Sequence, residues 1–123
     1  MGKTLHHVID VLDEPIDAVY TAIQLGFERI LTSGAKPFAP DGIDLITMMV
    51  EKAAGAISIM PGYGLDHETT NDVINLTGAR EIHAACRSHV PAARSFSDFD
   101  PPGGRFATSP NLVMSLVTAV FGI

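Results

Sequence analysis

The sequence predicts an α/β fold of parallel strands, about four βα units in succession, half the complement of an eight-unit barrel. Three observations lead there. The runs LHHVID, RILTSG, ISIMPGYG and REIHAAC have strand composition and start about 25 residues apart. Each gap between them carries a helical pattern, and parallel strands need such crossovers. The chain has 123 residues, enough for one domain, whereas a closed eight-stranded βα barrel takes roughly 250.

Thr4 to Asp10 reads as the first strand. Asp13 is placed to cap the helix that follows, with Pro15 in its first turn, where a missing N–H costs least. Ile16, Val19, Ile23 and Leu25 give that helix its apolar stripe, and Gly26 ends it. Arg29 to Ser33 is the second strand. A loop from Gly34 to Gly42 leads into a helix carrying Ile43, Ile46, Met49, Val50 and Ala53, ended by Gly55. Ala56 to Met60 is the third strand, followed by the turn Pro61-Gly62-Tyr63-Gly64. A helix over about Thr69 to Thr77 stops at Gly78, and Arg80 to Cys86 is the fourth strand. Residues 87–108 are polar, rich in Pro and Gly and without period, which predicts a long and partly mobile loop. Ser109-Pro110 then starts a last helix, Leu112 to Phe121.

A formal net charge of −6 argues against general attraction to nucleic acid or to anionic membranes. The apolar runs break well short of the roughly 20 residues a membrane span requires. MGKTLHHVID has no apolar h-region, so no secretory leader is expected. Cys86 is the sole cysteine, which excludes an internal disulfide, and the expected compartment is the cytoplasm.

Ligand sites in such folds lie where strands run into helices. Alternation groups His83 with Glu81 and Ala85, Ser58 with Met60, and His6 with Val8. Polar residues on interior strands are costly unless paired, so they point to a polar lumen or a ligand site. His6 and His7 are candidates for acid–base work, with Asp10 to orient the imidazole, and His83 is a third candidate. Gly62 and Gly64 allow close backbone approach to an anion, as Ser33 and Gly34 do after the second strand, and Arg87 supplies charge. A tight turn needs glycine without any ligand, so both uses stay open. His6, Met60, His83 and Cys86 have the softness that suits copper. A packed histidine and a buried thiol serve equally without metal. No Ser/His/Asp order, phosphate-loop lysine motif or paired-cysteine motif is present.

The same segments resemble the copper homeostasis protein CutC family, whose strands typically read FHRAFD, TSGG, IMPGGG and a His-Ser-Ser-Ala or His-Ala-Ser-Ala run followed by Arg. Here they read Leu5 to Asp10, Thr32-Ser33-Gly34-Ala35, Ile59 to Gly64, and His83-Ala84-Ala85-Cys86-Arg87. GFERILTSG, TGAREIH and the closing SPNLVMSLVTAV fit as well. The resemblance covers residues 4–87 and implies a TIM-like barrel whose fifth to eighth strands this chain supplies. It also implies a cytoplasmic role in copper handling. Departures stand at His7 for Arg, Ser58 for an acid, Tyr63 for Gly and Ala85 for Ser. Losing that arginine removes a fixed forked cation.

An open half barrel leaves two strand edges and a bare apolar face, and both invite association. The expected partners are therefore further copies of the chain, together with a small anionic ligand.

Overall fold

Parallel strands and covering helices alternate through the chain, in a computed structural model that describes residues 2–90 and 104–122. Strand β1 (Thr4–His6) is followed by helix α1 (Pro15–Gln24), β2 (Arg29–Thr32), α2 (Ile43–Ala53), β3 (Ser58–Pro61) and α3 (Thr70–Thr77). The three strands form one parallel sheet in the order β1-β2-β3. Ile30 and Ile59 are buried on one face of it, in a core with Val19, Ala22, Ile46, Met49, Ala53 and Val73 from the helices. That arrangement follows from sequence: β-branched residues on strands meet apolar stripes spaced at helical period.

The expected first strand is cut short. His7 takes a left-handed φ of 53°, and Val8–Val11 wind into a 3-10 turn that buries Ile9. Asp13 does not cap α1; Glu14 precedes Pro15 there, and no side chain closes the helix start. The fourth strand is reduced to one parallel bridge between His83 and Gly62, made by the His83 N–H on the Pro61 carbonyl at 2.9 Å. The expected 87–108 loop has strands at both of its ends. Arg87–Val90 (β4) pairs antiparallel with Arg105–Thr108 (β5), and residues 91–103 lie outside the described residues. The expected start of the last helix holds: Ser109 caps α4 (Pro110–Phe121), its Oγ accepting from the Leu112 N–H at 3.4 Å.

The sheet face turned away from the helices is not bare apolar surface. Register puts Thr4, Arg29 and Ser58 in one row of it, and His6, Leu31 and Met60 in the next. Arg29 binds Glu81 through two hydrogen bonds, Nε at 3.0 Å and Nη2 at 2.9 Å, and Ser58 Oγ donates to the same carboxylate at 2.7 Å. Glu81 thus supplies the counter-charge to the first row through its carboxylate.

Candidate functional site

Asp10 is the hub of the end where the strands finish. Its Oδ1 accepts from Thr32 Oγ1 at 2.5 Å and from the Ala35 N–H at 3.0 Å. Its Oδ2 accepts from the Ser33 N–H at 3.0 Å and meets His7 Nδ1 at 2.8 Å. Ser33 Oγ also lies 3.3 Å from Oδ2, but its one proton goes to the Lys36 carbonyl at 2.6 Å. Partial burial pushes the Asp10 carboxyl upward; hydrogen bonds from Thr32, His7 and the N–H groups of Ala35 and Ser33 outweigh it and hold the pKa below the ordinary 3.8.

Local backbone makes this possible. Gly34 and Ala35 both adopt positive φ, 71° and 58°, which curls successive N–H groups around one point. Gly34 cannot be replaced without strain: a Cβ there would stand 2.3 Å from the Gly42 carbonyl oxygen. The expected anion-binding pair Ser33 and Gly34 is therefore occupied from within. The Ser33 N–H holds Asp10, and the Gly34 N–H donates to Thr32 Oγ1 at 3.0 Å.

The partner of Asp10 is His7, with its ring three-quarters shielded from solvent. An ionised carboxylate only accepts, so Nδ1 carries the proton and Nε2 of the neutral ring is the acceptor. His6 packs edge-on against His7, centroids 5.0 Å apart, and Tyr63 does the same from the third strand's turn at 5.7 Å. Phe38 closes the row beside Tyr63. Tyr63 holds a φ of 84°, at the position where the resembled pattern IMPGGG has glycine.

Gly62 is packed rather than open: its N–H donates to the Thr32 carbonyl, and a Cβ would meet Leu31 at 2.5 Å. Gly64, Cys86 and Arg87 line one pocket of about 250 Å³, with Asp66 and His67 on its wall. The Arg87 guanidinium lies over the Phe106 ring, 5.6 Å from its centroid.

The soft set does not converge. His6 stands on β1 and His83 beside β3, so β2 and β3 intervene. Measured along the sheet, three strand spacings of roughly 14 Å in all separate their backbones. Met60 lies between them, and Cys86 lies past the last bridge at the start of the hairpin. Among the described residues no three His, Cys, Asp or Glu side chains are grouped to hold a metal ion. Copper therefore does not fit the four as one site.

Sequence reasoning missed the Arg29–Glu81–Ser58 cluster and the ring of Tyr63 against His7. Strand parity already placed Glu81 with His83 and Ser58 with Met60; the inter-strand register was the part lacking.

Comparison with known proteins agrees with the motifs. A family model described as the CutC family matches residues 1–88. A protein of Treponema denticola named as CutC is 46% identical over 95 residues, 76% of this chain and 39% of that protein. One from Rhizobium meliloti is 41% identical over 92 residues, 75% of this chain and 38% of that protein. A solved structure from Streptococcus agalactiae, which carries the name copper homeostasis protein CutC, is 28% identical with a TM-score of 0.64. The match covers 68% of this chain and 42% of that one. The chain thus spans about two fifths of the length of these relatives. By the motifs after its strands and by these matches, the chain belongs to the CutC family.

Proposed function

We propose that the chain acts in copper homeostasis as the second half of a TIM-like βα barrel. Its working site is the end of the sheet where strands run into helices, and its ligand is a small anionic molecule. In this reading His7, oriented by Asp10, is the acid–base group, while Gly64 and Arg87 receive the negative charge of the ligand. The observation that carries it is the Asp10 carboxylate, fixed by Thr32, Ser33 and Ala35 and aimed at His7 Nδ1. Such a carboxylate holds one tautomer and stabilises the imidazolium that forms when Nε2 takes a proton. The reading also places the protein in the cytoplasm as a homo-oligomer. Among the described residues no helix is long and apolar enough to cross a membrane.

The test is titration with inorganic phosphate, followed by amide and side-chain NMR. Saturable shifts at Gly64, Arg87 and His7, with affinity lowered about tenfold or more in Arg87→Met, are expected. Shifts that do not saturate, or that leave these residues unmoved, overturn the assignment.

Copper binding is a second reading. Cys86 favours it, a thiol on the wall of the same pocket as His67. Titration of Cu(I) against a competing chelator decides. Stoichiometric binding lost in Cys86→Ala supports this reading, and binding equal in both proteins excludes Cys86 as a ligand.

A further inference from the structure

We propose that α4 of a second copy docks in the groove between β1 and α1, so that two chains close on one another about a two-fold axis parallel to the strands. The proposal rests on the half-barrel reading and adds the contact that closes it.

The groove has a volume of about 510 Å³ and is walled by Leu5, Val8, Leu12, Ala18, Leu25 and Phe27. Leu25 is 61% exposed and Val8 46%. It runs beside β1, an outer strand of the sheet whose second edge pairs with nothing among the described residues. In a βα repeat this is the place of the helix that comes before the strand.

The chain carries a helix suited to it. Helix α4 has no charged residue along its length and no buried one. Leu112 and Leu116 turn toward the body of the chain, where they line the Cys86 pocket. Val113, Val117 and Phe121, spaced by four, therefore share another face; Phe121 is 71% exposed. An apolar helix face and an apolar groove on the same chain are complementary only between copies, because α4 packs on α3 at the far side.

Direction and charge agree. Helix α1 begins just after the turn that leaves β1. Helix α4 begins where the Ser109 N–H holds the Cys86 carbonyl at 2.8 Å, beyond the bridge of the last sheet segment. Both helices thus start at one end of the sheet and run the same way, as neighbours in a βα barrel do. The groove's rim at that end is acidic, with Asp13, Glu14 and Asp17. The hairpin leading into α4 carries Arg87 and Arg105, each of which already makes a contact within its own chain and adds positive charge at that end. A two-fold axis uses the contact twice, which helps a modest groove approach the roughly 800 Å² per partner of a stable interface.

Sedimentation velocity on the full chain tests this, with Leu25→Glu on the groove and Phe121→Glu on the helix. Both positions are exposed, and far-UV circular dichroism confirms that each variant folds. The expected result is a concentration-dependent dimer whose dissociation constant rises about tenfold or more in either variant. Pairing Leu25→Lys with Phe121→Glu in one chain should recover association. A dimer indifferent to both single substitutions overturns this docking while leaving a homo-oligomeric half barrel standing. A chain that stays monomeric at all concentrations removes both.

Discussion

Asp10 shows how much one side chain can organise. An amide in its place presents an NH2 group to donors that now point at oxygen, so Asp10→Asn must leave either the Ser33 N–H or the Ala35 N–H unpaired. We expect a loss of about 1–3 kcal/mol in urea denaturation, with the fold retained. Acid sensitivity follows from the same groups. Glu81 is held at about 2, against an ordinary 4.5, first by the Arg29 guanidinium and then by the Ser58 hydroxyl. Asp10 also lies below its ordinary 3.8. Both are depressed carboxyls, so their contribution is complete above the unfolded values and is lost as pH falls toward the folded ones. The urea midpoint should hold from neutrality to about pH 5 and decline below. Glu81→Gln should flatten the part of that decline between 4.5 and about 2. A midpoint in Glu81→Gln with the unaltered acid slope would refute the role given to this pair. Much of this site was legible at the residue level: His7, Asp10, Ser33 and Gly34 were recognisable as chemistry-bearing. The identity of the anion was not, because a glycine-curled loop reads the same whether the negative charge is a ligand or a side chain 23 residues earlier.

Among the elements, the loop after β2 illustrates how glycine spacing encodes contact. Gly34 and Gly55 both have positive φ, 71° and 83°, yet only Gly34 has backbone against it. Gly55→Ala should cost about 1–2 kcal/mol from left-handed strain alone. Gly34→Ala should cost clearly more, since its methyl meets the Gly42 carbonyl. Equal losses in thermal denaturation would show that the close approach carries no weight. The helices were readable within a few residues because apolar period and a closing Gly agreed in all four, with Pro at the start of α1 and α4. The strands were less so. LHHVID has strand composition throughout, but the Asp10 carboxylate draws residues 8–11 into a turn, a tertiary demand that local propensity does not reveal. The hairpin β4–β5 was hidden for a related reason, since its two strands are paired across an intervening polar segment.

At the scale of the molecule, the βα rhythm read three parallel strands correctly, while the fourth segment is a single bridge and the surface left uncovered differs from expectation. A face bearing Arg29, Glu81, Ser58, His6 and His83 is poorly suited to hydrophobic collapse against a twin sheet. Association is better served at the rim, by apolar helix and groove. If copies do associate there, the thermal midpoint must climb with protein concentration, by mass action. A midpoint independent of concentration speaks for a lone chain.

The Asp10 network has one more consequence, for the order in which a growing polypeptide takes shape. Every donor on that carboxylate apart from His7 comes from residues 32–35, more than twenty positions downstream. As the chain leaves the ribosome, His7 has no oriented acceptor-side geometry until the second strand and its exit loop have emerged and closed back. The His7–Asp10 pair can therefore take its final geometry only once residues 32–35 are in place around the carboxylate.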